Sequence, residues 1–242
     1  MSKADAPRPE IPQYAARLCF GAAAGFLTAV AALHGLKPDV DPSWHFISEY
    51  AIGEYGWIMT AAFALLAVSH VAAFVMLRSQ LRTRAGRIGL AMLLVGAVGL
   101  TIAALFAADP ITTAADEATT VGQLHNLGGT LGLATPLAVA LVTWRLVRSP
   151  AWASARRPLL WSGAAAVGAT LAAIVSLGIM MSQHGGQFGP GVNVGWPNRL
   201  EILAHCVGLI TLARQGLRVT QGGAAAPRLQ RTLPAASASL TE

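Results

Sequence analysis

The chain has 242 residues, 54% of them hydrophobic and only 12% charged, where an ordinary soluble domain has about 25% charged. A water-soluble core, a disordered chain, a collagen-like repeat and a disulfide scaffold are all excluded: charge is scarce, Gly and Pro have no period, and there are two Cys. What remains is an integral membrane protein, so the formal charge of +6 is read first as a topology signal and not as a nucleic-acid footprint.

A helix that crosses the hydrocarbon needs about 20 mostly apolar residues. Runs at 18–36, 56–77, 88–108, 127–144 and 159–181 meet this and contain no Asp, Glu, Lys or Arg. A sixth, at 199–217, spans only if Arg199, Glu201, His205 and Arg214 are accepted inside it. The prediction is an all-α polytopic bundle of six transmembrane helices over residues 17–218. A tail at 1–16 precedes it and a disordered tail at 219–242 follows, both rich in Ala, Pro, Ser and Thr without an apolar period. Ala29-Val30-Ala31 has the small-x-small form of a cleavage site, but the run around it is long enough to span and is expected to stay as a helix.

Basic residues alternate between the connecting segments. Lys3, Arg8 and Arg17 precede the first span; Arg78, Arg82, Arg84 and Arg87 follow the second. Arg145, Arg148, Arg156 and Arg157 surround the fourth-to-fifth connection, and Arg214, Arg218, Arg228 and Arg231 come at the end. The other loops hold Lys37 and, at a boundary, Arg199, together with Asp39, Asp41, Glu49, Glu54, Asp109, Asp116 and Glu117. Since cytoplasmic loops retain Lys and Arg, both termini are expected in the cytoplasm, and a pI near 10.1 needs no nucleic-acid partner. Trp44, Tyr50, Tyr55, Trp57 and Trp196 then form an outer aromatic belt, and Trp144, Trp152 and Trp161 an inner one. Cys19 falls near the inner end of the first span and Cys206 in the outer part of the sixth, too different in depth to pair. Gly21/Gly25 and Gly128/Gly132 have the small-xxx-small spacing that suits close helix packing, within the chain first and between copies second. Pro136 is expected to kink the fourth span.

Polar residues left over from the topology gather at one level, toward the outer leaflet. Ser48 and Glu49 precede the second span, Asp109 ends the third, His125 and Asn126 begin the fourth, and Arg199, Glu201 and His205 occupy the outer turns of the sixth. An ionisable group inside a span costs about 2.5–3.5 kcal/mol on insertion scales, so such groups face a cavity or each other. Glu201 and His205, four apart, share one helix face and suit either a metal or a carboxylate-oriented general base. Arg199 is expected to be balanced by Glu201, Glu49 or Asp109, or to hold a substrate anion. His70 lies deeper and reads as a core histidine bonded to a backbone carbonyl, whereas His34 and His184 read as solvated. Haem transfer would need His pairs at matched depth; His125 and His205 would make one, and His70 has no evident partner.

The run Ser48-Glu49-Tyr50-Ala51-Ile52-Gly53-Glu54-Tyr55-Gly56-Trp57, then Asp109-Pro110, Gly122-Gln123-Leu124-His125 and Gly195-Trp196-Pro197-Asn198-Arg199, resembles an uncharacterised bacterial family of six-helix integral membrane proteins. That family is catalogued as a domain of unknown function. The resemblance covers about residues 15–218 and implies the six-helix fold, a bacterial cytoplasmic-membrane location and a shared polar layer of Ser48, Glu49, Asp109, His125 and Arg199. A looser similarity, to seven-helix membrane hydrolases that hold zinc with three His plus Ser and Asp, is weakened by the absence of any Ser-x-x-x-His or His-x-x-x-His.

Two functions follow as expectations. In the first, Ser48, Glu49, Asn126 and Arg199, with Asp109 and His125 beside them, bind or move a lipid head group or a small anionic or zwitterionic solute. In the second, Asp109, His125 and His205 hold a metal, zinc by its ligand types, and the candidate catalytic set Glu49, Asp109, His125 and Glu201 hydrolyses a lipid ester, amide or phosphoester. Membrane lipids are the expected partners of either.

Overall fold

The computed structural model describes residues 11–231, with side chains placed as far as 220. It is 76% helix without strands among the described residues, and six of its helical segments are long and apolar enough to cross a membrane. The protein is a multi-pass membrane protein.

Helix α1, Gln13–Leu36, begins five residues before the apolar run because Pro12 supplies a ready N-terminus: its carbonyl takes the N–H groups of Ala15 and Ala16. Helix α2, Gly56–Leu77, has the expected bounds. Gly56 is needed there, since a Cβ would collide with the Ala51 carbonyl at the end of a short 3-10 turn, Ile47–Ala51. Helix α3, Arg84–Leu105, is capped by the Thr83 hydroxyl, which accepts from the Gly86 N–H at 3.3 Å. It starts and stops earlier than the apolar run at 88–108, and leaves Asp109 in a loop.

The fourth span is broken rather than kinked. Helix α4, Thr120–Gly132, ends at Leu133 and helix α5, Ala134–Leu146, begins at once, placing Pro136 in the first turn of a new helix. A proline cannot bond the carbonyl four residues back, and its ring clashes there, so the interruption falls just before that turn. Beside it α3 and α4 cross with backbone on backbone: a Cβ on Gly99 would strike the Gly128 carbonyl, and one on Gly128 the Gly99 carbonyl. Of the two predicted small-residue pairs, Gly128 therefore packs within the chain, whereas a Cβ on Gly21 or Gly132 would meet nothing within 4 Å. After a 3-10 segment at Pro150–Ala155 come helix α6, Arg156–Gln183, and helix α7, Gly195–Arg231.

Packed neighbours follow the chain: α1 on α2, α2 on α3, α3 on α4 and α5, α5 on α6, α6 on α7, and α7 back on α1, with α2 and α7 also touching. The ring is thus closed, and one end collects the arginines at 17, 78–87, 145–157 and 214–218. The other, here the acidic end, collects the loops 37–55, 106–119 and 184–194.

Three expectations need correction. Helix α7 continues through 219–231, into the predicted tail; residues 1–10 and 232–242 of the two tails lie outside the described residues. Trp152 and Tyr50 are not belt residues but are fully buried, whereas Trp57, Trp144, Trp161 and Trp196 are exposed as a belt requires. The cysteines are not far apart in depth: the Cys19 thiol sits 3.8 Å from the Leu209 carbonyl, less than one turn past Cys206. Starting α1 at Gln13 moves Cys19 inward along the bundle, and both thiols are free and buried.

Candidate functional site

Gly195 opens α7 under the loop that follows α1. Its N–H donates to the Ser43 carbonyl at 2.9 Å, and a Cβ would run into the carbonyls of Pro42 and His45. This close approach ties α7 to that loop, and Asn198 adds a second tie by accepting the Ile47 N–H at 3.1 Å. Arg199 is thereby aimed into the interior.

Its guanidinium, on a residue only 9% exposed, makes four hydrogen bonds. Nε donates to His34 Nε2 at 2.9 Å, Nη1 to the carbonyls of His45 at 2.6 Å and Gly195 at 3.2 Å, and Nη2 to the Tyr50 hydroxyl at 3.2 Å. His34 must accept at Nε2, so its proton is on Nδ1, where it is donated to the Val30 carbonyl at 2.8 Å. The fully buried Tyr50 ring lies 5.2 Å from His34 and 5.5 Å from the guanidinium carbon. Lys37, also buried, holds this turn from the far side by donating to the carbonyls of Tyr50, at 3.5 Å, and Ile52.

Among the described residues no carboxylate lies within ion-pair distance of Arg199, and the one ion pair is His45 with Glu49, at 3.9 Å. The predicted pairing of Arg199 with Glu49, Asp109 or Glu201 is therefore not formed. Every bond to the guanidinium goes to an uncharged acceptor, and of its five N–H groups one on Nη2 is left over. Beside it, between α1 and α7, opens a cavity of about 540 Å³. Phe26, Leu27, Val30, Ala31, Ile202 and Leu203 line it, and His34, Ile47, Trp196 and Arg199 stand at its polar end.

The acids are occupied elsewhere. Glu49 Oε1 accepts the Ile111 N–H at 2.5 Å, joining two loops, while Oε2, buried without a hydrogen-bond partner, lies 3.9 Å from His45 Nε2. Burial raises the Glu49 carboxyl above the usual carboxylate range, against the pull of the Ile111 N–H and of the His45 and Arg199 charges. Asp109 takes the Thr119 N–H and hydroxyl, both at 2.8 Å, and presses on Gly122, where no Cβ would fit. Thr119 in turn caps α4 by accepting the Gly122 N–H at 2.9 Å. His125 binds the Phe106 carbonyl through Nδ1 at 2.8 Å and meets the Phe63 ring edge-on at 5.9 Å. Asn126 is exposed, and Ser48, half-buried, makes no side-chain hydrogen bond among the described residues.

The rest of the predicted layer lies deeper. Glu201 accepts from Thr170 on α6 at 3.3 Å, and His205 meets His70 on α2, Nε2 to Nε2, at 3.0 Å. At about 1.5 Å and 100° per residue, Glu201 and His205 point to the side of α7 away from Arg199 and, for His205, about 9 Å further in. The single level thus separates into an arginine pocket, an acidic loop cluster and an interior histidine pair. Among the described residues no three His, Cys, Asp or Glu gather as metal ligands, so the zinc set of Asp109, His125 and His205 is not assembled. His70 keeps its predicted carbonyl bond, to Leu66 at 2.8 Å, but also has the partner it was expected to lack. Sequence reasoning missed His34, His45, Lys37 and the Tyr50 hydroxyl; the signal for Tyr50 was its place inside the Ser-Glu-Tyr motif, in a turn too short to reach lipid.

Residues 20–215 match the family described as "Protein of unknown function (DUF998)", and the chain belongs to that family. Compared with curated proteins and with solved structures, it matches none.

Proposed function

We propose that this membrane protein binds an anionic amphiphile, with the head group at Arg199 and an acyl chain along the cavity between α1 and α7. The observation that carries this reading is a buried guanidinium with no carboxylate beside it, one N–H unused, at the polar end of an apolar cavity. A buried charge without a counter-ion is costly, so an anion that enters is favoured by the field already present. The volume, about 540 Å³, is in the range of small-molecule sites, and the apolar wall with few convergent polar groups is their usual make-up. Arg suits phosphate or carboxylate through two parallel bonds.

In this reading the arginine end faces the cytoplasm of a bacterium and the pocket opens at the outer leaflet, which the distribution of Lys and Arg supports. Phosphatase and fluorescent fusions at the C-terminus test that orientation; an active phosphatase with a dark fluorescent fusion would reverse it. The metal-dependent hydrolase is the weaker reading, because its ligands have separate partners.

Thermal unfolding in detergent with added phosphatidylglycerol or phosphatidylcholine tests the binding. Stabilisation by a ligand follows its occupancy, so phosphatidylglycerol should raise the Tm more than phosphatidylcholine, and Arg199→Gln should abolish the difference. Equal stabilisation by both lipids, unchanged in Arg199→Gln, would sink the proposal.

A further inference from the structure

The histidine pair is outside the Arg199 pocket and has its own chemistry. His205 is 7% exposed and His70 fully buried, with the two rings stacked 5.0 Å apart. They meet where α2, α3, α5 and α7 converge: a Cβ on Gly96 would lie 3.5 Å from His70 Cδ2 and 2.5 Å from the Thr135 hydroxyl. The absence of a side chain at Gly96 is what admits the Thr135 hydroxyl beside the His70 ring.

Proton positions follow from the partners. The Leu66 carbonyl can only accept, so His70 donates to it from Nδ1 and keeps a lone pair on Nε2. His205 must then donate from its own Nε2, which leaves a lone pair on His205 Nδ1. That nitrogen is buried and has no partner among the described residues. The chain of bonds therefore starts on a backbone carbonyl, passes through both rings and ends on an acceptor with nothing to accept.

We propose that the His70–His205 pair is a proton-binding site inside the membrane-spanning bundle, and that it takes up one proton at His205 Nδ1. A hydronium ion gives the proton and becomes water; the new N–H bond forms from the Nδ1 lone pair, and no hydrogen bond in the chain is broken. The existing bond from His205 Nε2 to His70 then becomes charge-assisted, which shortens and strengthens it. Capacity stops at one, because the remaining lone pair, His70 Nε2, is already filled by the His205 N–H. The titratable groups around the pair are Glu201 and Cys206 on α7 and Cys19 on α1, whose thiol is 3.5 Å from the Ser69 hydroxyl; α3 and α5 present the uncharged Gly96 and Thr135. Glu201 is one turn toward the acidic end on the His205 face, a carboxyl placed to offset an imidazolium.

Imidazole nitrogen NMR on the 15N-histidine-labelled, full-length wild-type protein in lipid nanodiscs tests this directly. At high pH, His70 should carry its proton on Nδ1 and His205 on Nε2, with His205 Nδ1 unprotonated; on acidification that one nitrogen should gain a proton in a single step. A proton on His205 Nδ1 at high pH overturns the assignment, as does the absence of any conversion down to the pH where the protein unfolds. His70→Gln, which lacks the ring acceptor, should need about tenfold more protons to protonate His205, and an unmoved midpoint counts against the shared site. If that variant does not fold, the wild-type titration decides.

Discussion

The two halves of the acidic end carry opposite charges at one level and do not neutralise each other. On the α1/α7 side, Arg199 is held by two carbonyls, an imidazole and a phenol. By α4, Asp109 takes the Thr119 N–H and hydroxyl, and Glu49, next to Tyr50 in the 3-10 turn, takes the Ile111 N–H from the neighbouring loop. Each charge is solvated by loop dipoles of the opposite sense, groups that themselves need partners when withdrawn from water. What this teaches is that charge balance across a layer does not imply ion pairs within it.

Removing the guanidinium breaks this comparison most severely. Arg199→Ala leaves the His34 ring, the Tyr50 hydroxyl and two carbonyls without their donor, and should cost about 3 kcal/mol of stability. Thermal or denaturant unfolding in detergent measures it, and a loss below about 1 kcal/mol would mean that the network is not holding α7 to the loop.

A pH series probes the acidic half. The folded protein holds the Glu49 proton more tightly than the unfolded chain does, because burial disfavours the carboxylate. Stability therefore falls as pH rises from the ordinary Glu value of about 4.3 through the raised value, and the loss is complete above it. Glu49→Gln should flatten that part of the Tm profile. An identical slope in the variant would place the titration on another group.

The smallest expected effect is the most discriminating. If the halves are solvated separately, Arg199→Gln and Asp109→Asn should be additive, with a coupling within about 0.5 kcal/mol in a double-mutant cycle. Rescue of one by the other would restore the ion pair that the geometry lacks.

How far the fold was legible varies with how its boundaries are written. For α2 the signals coincide, with Gly56 at one end and Arg78 at the other, and the bounds were readable to the residue. At α4 and α5, Pro136 announced a disturbance, but its form, a full break after Gly132, depends on the Gly99–Gly128 crossing from another helix. The site was less legible for the same reason. Arg199, Glu201 and His205 are neighbours in sequence and so fell into one layer, although a period of 100° per residue sends the first to one side of α7 and the other two to the opposite side. Partners such as His34 and Tyr50 are supplied by the closing of α7 on α1, which no local pattern records. Cys19 was misplaced because the polar start of α1, from Gln13 on, reads as tail until Pro12 is seen to cap it.

Helix α6 has 28 residues, and only 11% of its most apolar window is buried against the protein. At about 1.5 Å per residue it is about 42 Å long, against a hydrocarbon core of about 30 Å. Tilt within the usual range absorbs part of the excess, and the rest stands in the head-group layers. The loop 184–194 joins that helix to Gly195, the first residue of α7. Bilayer thickness is therefore expected to act on α6 first and, through the loop 184–194, on the start of α7.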